Sequence, residues 1–399
     1  MNASDTLAVG LRCIRCDADT PFDPRAYLCE RCGAADRAPG AVVPEDPGIL
    51  DVRYDYVRAR RDWGARTAAG ARGVFRYRAL LPVSEGTSVL PAGDTALVPA
   101  PRLAAALGLR TLYLKDETRN PTRCLKDRAT AVAVSLAQAV GARAVYCASA
   151  GNAAISLAGF SANAGLACHV FVPSYASPVR LAWLRRFAAD VRVSTGDYDQ
   201  AVDESEREGS AHDWYSRNCA LNPFLVEGKK TVAFEIAEQL DGHAPDIVAA
   251  PVGDGCTLAA IGKGFRELRE IGVTSALPRL LGAQAAAVQP IVRRYAAEHG
   301  SRTEVAGEPA TAASSIAVRR PRNALRLLRE LRESDGEMLA VTDAEIGRAQ
   351  RRLAEEAGVV AEFTSAATLA ALARLAEHEE LGGKTAVLVI TGGRLDDAA

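Results

Sequence analysis

Charge of one sign is what this chain most conspicuously lacks: 48 basic residues against 49 acidic ones leave a net charge of −1. Without a basic field, neither nucleic acid nor an acidic membrane surface is expected as a partner. No run of about 18 apolar residues is present to cross a bilayer. Met1–Gly10 has no basic segment ahead of an apolar stretch, so a secretory signal is not expected and a cytoplasmic location is. Internal repeats and low-complexity tracts are also missing. What is there is an ordinary globular composition, 48% hydrophobic and 24% charged over 399 residues, long enough for two domains with their own cores.

The nine cysteines fall into two groups. Cys13, Cys16, Cys29 and Cys32 form a C-x2-C-x12-C-x2-C array, in which two hairpins can present four thiolates to one structural Zn²⁺. A segment this short has no core of its own, so a metal would supply its folding energy. A ribbon without metal and a crossed disulfide pair stay open at this point. A catalytic zinc is not expected, since four cysteines leave no open position. A nucleic-acid-binding ribbon is disfavoured because Asp17, Asp19, Asp23, Glu30 and Asp36 offset Arg12, Arg15, Arg25, Arg31 and Arg37. Cys124, Cys147, Cys168, Cys219 and Cys256 are scattered and odd in number, which fits reduced thiols.

The pattern divides the chain into four stretches. Residues 1–40 are the knuckle, and 41–79 a linker and packing segment, with Pro39–Gly48 rich in Pro and Gly and Asp51–Arg72 charged. From about Leu80 onward apolar strands alternate with amphipathic helices, predicting an α/β fold of two parallel-sheet domains covered by helices, 80–225 and 226–399. Strands are expected at Thr111–Leu114, Ala144–Ala148, Cys168–Val172, Asp246–Val252 and Thr385–Ile390. Helices are expected at Asp127–Val140, Ala153–Ala164, Pro178–Ala188, Thr231–Leu240 and Leu258–Glu270. Thr342-Asp343-Ala344-Glu345 reads as a capping box for one more.

Four segments carry candidate chemistry. Lys126 opens a predicted helix behind the turn-forming run Asn120-Pro121-Thr122-Arg123, which sets an amine where a carbonyl compound can reach it. A lysine used for a Schiff base must lose its proton easily, and a helix N-terminus with Arg123 or Arg128 nearby supplies positive potential to that end. Gly253-Asp254-Gly255-Cys256-Thr257 follows a strand and opens a helix, so converging N–H groups and the helix dipole make an anion cradle. It is not a dinucleotide fingerprint, because Leu258 stands where the third glycine belongs. Ser149-Ala150-Gly151-Asn152 lies at another strand end, and Thr391 at a third. Each alone has an ordinary reading, as surface lysine, tight turn, N-cap and turn residue; in open α/β sheets, however, strand carboxyl ends are where ligands sit.

Together these segments resemble the threonine synthase family of pyridoxal-phosphate enzymes, of the tryptophan synthase β-like fold (fold type II). The likeness rests on Lys115-Asp116-Glu117-Thr118 with Asn120-Pro121-Thr122 and Lys126-Asp127-Arg128, on Ser149–Ala154, on Pro251–Gly255 and on Thr391-Gly392-Gly393. Glu227-Gly228-Lys229-Lys230-Thr231 and Glu362–Ala367 add to it. The resemblance implies pyridoxal phosphate on Lys126, the Schiff-base lysine and general base. It also implies a ring-oxygen contact from Asn152, a phosphate site at Gly253, Asp254, Gly255, Cys256 and Thr257, and Thr391 at the pyridine nitrogen. Lys115, Thr122 and Arg123, with Ser149, Ala150 and Gly151, are the implied substrate contacts, and a homodimer is the implied assembly.

Departures from the family pattern concern the substrate. Arg123-Cys124-Leu125 stands where the family usually has Gly-Ser-Phe, which removes a turn glycine and adds a cation. Leu225 occupies the position of a phosphate-gripping arginine, a donor worth about 1.5–3 kcal/mol of charged hydrogen bonding. Arg394 stands where a lysine is usual. The expected activity is therefore a pyridoxal-phosphate-dependent, threonine-synthase-like lyase acting on serine, threonine or an O-phospho relative, by elimination or replacement via an external aldimine. True threonine synthase acting on O-phosphohomoserine is the alternative, and a non-catalytic zinc-stabilised scaffold is another.

Overall fold

The computed structural model describes residues 6–33, 46–67, 72–83, 90–301 and 310–393. Most of the Pro39–Gly48 linker, and Arg394 with the C-terminal residues after it, lie outside those residues. In chain order the strands are β1 (Ala8–Cys13), β2 (Asp19–Thr20), β3 (Leu50–Tyr54), β4 (Leu97–Pro99), β5 (Thr111–Asp116) and β6 (Ala144–Ala148). They continue with β7 (Ala167–Val172), β8 (Asp190–Val193), β9 (Tyr215–Ser216), β10 (Ile247–Pro251), β11 (Arg279–Ala285), β12 (Glu337–Val341) and β13 (Thr385–Ile390).

The chain forms two compact units, interleaved rather than sequential: Met1–Asp94 with Asn120–Thr231 in one, Thr95–Arg119 with Val232–Arg394 in the other. Linear boundaries at 80, 225 and 226 therefore need correction. The reason is strand pairing: β5 runs parallel beside β13 from Thr111↔Thr385 to Ile390↔Asp116, so Thr95–Arg119 belongs to the later sheet.

The first unit holds two sheets. β2-β1-β3 is a small antiparallel sheet around the cysteine knuckle, so the knuckle reaches past residue 40 and takes in Leu50–Tyr54. The charged stretch after it is a helix, Tyr56–Thr67. The second sheet, β8-β7-β6-β9, is wholly parallel. β6 is buried along its length, as expected of a continuous apolar strand covered on both faces. The helix Asn152–Ala164 stops at Gly165, whose φ of +69° is the left-handed conformation that glycine adopts without a Cβ penalty.

In the second unit the strand order is β12-β11-β10-β13-β5-β4, parallel except at the edge, where β4 pairs antiparallel with β5. Pro99 ends β4, consistent with the confinement of proline to sheet edges. Thr342 and Glu345 form the reciprocal capping box that opens Asp343–Ala357. The apolar side chains of β5, β10, β11 and β13 meet the alanine- and leucine-rich helix Phe363–Ala376 in a single core cluster. Two helices open earlier than their hydrophobic period suggests, at Phe224 and Cys256, because their first turns are buried all round and so show no polar face to mark the start.

Candidate active site

In the first unit, Lys126 begins the helix Lys126–Ala139 and is half-buried. The loop ahead of it is tied down by Asp127, whose carboxylate accepts the Thr122 N–H at 2.6 Å and the Thr122 hydroxyl at 2.5 Å. Burial pushes the Asp127 carboxyl up to about 6, against the lowering effect of those bonds and of the Arg217 guanidinium. Thr122, expected to face the substrate, thus has its proton on Asp127 and serves first as a loop anchor. Arg123 is exposed and takes the left-handed conformation, φ 62°, in the turn where the family uses glycine.

Two helices brace this one. Thr130 donates to the Lys126 carbonyl at 2.9 Å and accepts from Ser156 of the Asn152 helix at 2.7 Å. The second contact is backbone against backbone. A Cβ on Gly228 would fall 2.1 Å from the Arg128 carbonyl oxygen, so only glycine lets helix Phe224–Gln239 approach so closely. Arg128 completes the join by donating to Thr231 at 3.0 Å. The Lys-Asp-Arg and Glu-Gly-Lys-Lys-Thr motifs, distant in sequence, are therefore one packing unit.

Beside the lysine lies the Asn loop. Ser149, Ala150, Gly151 and Asn152 are partly exposed at the carboxyl end of β6, and the Ser149 hydroxyl accepts the Gly151 N–H at 3.1 Å. The helix begins here at Asn152, and the first N–H groups of a helix point out of its N-terminal end. The buried Cys124 thiol joins the two segments, 3.6 Å from the Thr122 hydroxyl and 3.8 Å from the Asn152 carbonyl.

Sequence reasoning missed Arg217. Its buried guanidinium donates to the Lys126 carbonyl and the Thr130 hydroxyl, at 3.3 and 3.2 Å, and to the Cys219 sulfur at 3.3 Å. Buried Lys229 reaches the same sulfur at 3.1 Å. No periodicity marks an arginine placed by tertiary contacts alone. Burial pushes the Cys168 thiol up to about 12 and that of Cys147 higher still, which makes them inert.

In the second unit, Gly253–Thr257 follows β10, and Thr391 follows the adjacent parallel strand β13, so both sit at the same end of one sheet. Gly255 has φ 98°, and a Cβ there would meet the Asn323 carbonyl oxygen at 2.9 Å. At Gly253 a Cβ would approach the Ile316 Cα to 3.1 Å. Asp254, expected among the cofactor contacts, instead holds the neighbouring loop: its carboxylate accepts the Arg322 N–H at 2.7 Å and the Asn323 amide at 2.5 Å. An anionic side chain turned onto that loop leaves the first-turn N–H groups of Cys256, Thr257 and Leu258 to face an anion. Thr391 is nearly buried, with its hydroxyl 2.9 Å from that of Ser365.

Lys115 also requires correction. It is fully buried in β5, where its ammonium donates to Glu235 at 2.7 Å, the Thr95 carbonyl at 2.7 Å and the Gln239 amide at 2.9 Å. Three donors with three partners leave nothing for a substrate.

Known proteins resemble the chain in sequence and in fold. The model of a family described as "Pyridoxal-phosphate dependent enzyme" matches residues 89–392. The chain is 36% identical over 387 residues to a threonine synthase of Methanosarcina acetivorans, covering 96% of this chain and 91% of that one. With a threonine synthase of Synechocystis it shares 38% over 331 residues, 82% and 84% of the two chains. The fold matches the processed form of threonine deaminase isoform 2 from Solanum lycopersicum, with TM-score 0.66, 18% identity and 86% of each chain covered. These are fold type II proteins dependent on pyridoxal phosphate. The chain belongs to the threonine synthase family among them.

The residues fit the cofactor on structural grounds. The glycine cradle that a Cβ would fill, the helix N-terminus behind it, the held hydroxyl of Thr391 and the half-buried Lys126 are the donor types an anionic phosphate, a ring nitrogen and an aldehyde call for.

Proposed function

We propose that this chain is a lyase that eliminates or replaces the β-oxygen substituent of a small amino acid, with Lys126 as the Schiff-base lysine and general base. The observation that carries the reading is the pairing, within one unit, of Lys126 at one helix start with the Ser149–Asn152 loop at the next. Helix packing through Thr130 and Ser156 holds the two together.

When bound, pyridoxal phosphate supplies an aldehyde that condenses with amines and a conjugated ring that delocalises charge released at the substrate's α-carbon. The Lys126 amine takes the α-proton onto Nζ, and the electrons of the C–O bond leave with hydroxide or phosphate. N–H groups at Asn152 and Ala153, with the Ser149 hydroxyl, hold the substrate carboxylate. The Asn152 amide would be the donor to the ring oxygen. First-turn N–H groups of Cys256 and Thr257, with Gly253 and Gly255, would hold the cofactor phosphate. Thr391 would offer the ring nitrogen a neutral hydroxyl, which would favour prompt departure of the leaving group.

Serine, threonine or an O-phospho relative is the substrate class we favour. Leu225, fully buried and apolar, supplies no grip on a substrate phosphate, whereas the relatives named above support O-phosphohomoserine as the alternative. We read the protein as a cytoplasmic homodimer; no helix among the described residues is long and apolar enough to cross a membrane.

Borohydride reduction of the cofactor-loaded protein, followed by peptide mapping, is expected to place the adduct on Lys126 and to find none in Lys126→Ala. An adduct elsewhere, or none, overturns the assignment. Measuring 2-oxo acid from serine and threonine against phosphate from O-phosphohomoserine separates the two substrate readings.

A further inference from the structure

Cys13, Cys16, Cys29 and Cys32 come from the two ends of the knuckle, yet all four Sγ atoms lie within 4.8 Å of one another. Two of the edges, Cys13–Cys32 and Cys16–Cys29, measure 3.8 Å. A sulfur–sulfur bond is about 2.05 Å, so these are separate thiols. Four sulfurs placed tetrahedrally at a Zn–S distance of about 2.3 Å stand about 3.8 Å apart, which is the spacing found.

The backbone is shaped to keep them there. The Arg15 N–H points at the Cys13 sulfur at 3.3 Å, and such donors stabilise a thiolate. Asp17 closes the first turn onto the Cys13 carbonyl, and the Cys29 N–H bonds to the Gly48 carbonyl. Gly48 sits at φ 71°, where a Cβ would fall 2.6 Å from that of Cys32. Residue 48 is therefore a glycine because the chain passes directly behind the thiol cluster.

The knuckle does not stand apart. Tyr27 packs edge-on against Tyr215 and Phe224, and Phe22 against Phe224, with centroids 5.9–6.5 Å apart. The Tyr27 hydroxyl accepts the Ser216 N–H at 3.3 Å, and Arg25 pairs with Asp213 at 2.5 Å. From the adjoining strand β3, Tyr54 donates to Glu227 at 2.6 Å, and Lys230 pairs with the same carboxylate at 2.5 Å. These contacts flank both sides of Tyr215–Lys230, the segment that contributes Arg217 to the Lys126 carbonyl.

We infer that the knuckle binds one Zn²⁺ through Cys13, Cys16, Cys29 and Cys32, and that this ion braces the segment Tyr215–Lys230. The four sulfurs fill the coordination sphere, so the ion is structural and takes no substrate. Leu11, Ile14, Ile49 and Val52 are buried in the knuckle, and the metal adds to its order by tying the Cys13–Cys16 turn to Cys29 and Cys32. Its docked aromatic residues then transmit that order to the Arg217 segment.

The test uses the full chain purified without chelator. Elemental analysis is expected to give about one zinc per chain, and X-ray absorption four sulfur neighbours at about 2.3 Å. Cys16→Ser/Cys29→Ser is expected to lose the metal, while Cys168→Ser keeps it. Removing zinc from the wild-type chain with a chelator that leaves thiols unmodified should raise amide exchange across Tyr215–Lys230 several-fold. Less than a tenth of an equivalent of zinc with four titratable thiols, iron in its place, or unchanged exchange after zinc removal each overturns the inference. None of these readouts depends on pyridoxal phosphate or on turnover, so they stand or fall separately from the proposed activity.

Discussion

The Ser365 hydroxyl stands 2.9 Å from that of Thr391 and, on its other side, accepts the Gly392 N–H, also at 2.9 Å. Ser365 thereby sets both the direction of the Thr391 hydroxyl and the course of the backbone beyond it. Replacing it leaves a buried N–H without an acceptor, a loss of about 1–3 kcal/mol. Ser365→Ala is expected to weaken cofactor binding several-fold, read by absorbance titration with pyridoxal phosphate, while borohydride still traps the adduct on Lys126.

Lys115 and Glu235 form an ion pair with side chains 0% and 2% exposed. Removing one member strands the other charge in the core, which destabilises by about 3–5 kcal/mol. Lys115→Met is expected to lose that much in urea denaturation, and Lys115→Met/Glu235→Leu to recover most of it. If Lys115 instead faced the substrate, the single variant would keep its stability and show a raised KM.

Arg123 adopts a left-handed conformation that costs a non-glycine residue about 1–2 kcal/mol. After allowance for the greater freedom of glycine in the unfolded chain, Arg123→Gly is expected to gain about 0.5–1 kcal/mol. Calorimetry should show melting raised by roughly 1–3 °C. An unchanged KM in the same variant would separate Arg123 from the substrate.

Asp127 titrates near 6 in the folded protein, above its ordinary value, because burial disfavours the carboxylate. The folded state therefore binds more protons than the unfolded one between about pH 4 and 6. Stability falls as pH rises through that window and is flat above it. The difference in unfolding free energy between wild type and Asp127→Asn should change by a few kcal/mol across the window. A difference independent of pH would show that the carboxyl is not perturbed.

Legibility followed the kind of signal. Strands β5, β6, β10 and β13 were readable because buried parallel strands are continuous apolar runs between turn residues. The helix starts at Phe224 and Cys256 were hidden because the residues there are selected for close approach, as Gly228 against Arg128 and Gly255 against Asn323 show. Motif matching identified Lys115 and Asp254 without their roles, since a motif records identity and not the partner. Arg217 carries no local signature, and Ser365 lies in the matched Glu362–Ala367 segment without a role, because each acts on a backbone group far away in the chain.

By its own order of residues, then, the chain determined an α/β architecture, the helix that begins at Lys126, the glycine turn after β10 and the four-cysteine spacing. Those are consequences of local periodicity and backbone freedom, which nearest neighbours decide. Only the tertiary structure decided that Thr95–Arg119 joins the later sheet, that Lys115 is locked against Glu235, and that Ser365 aims Thr391. A hydrogen bond between residues distant in sequence exists only when packing has placed both, and packing is a property of the whole fold.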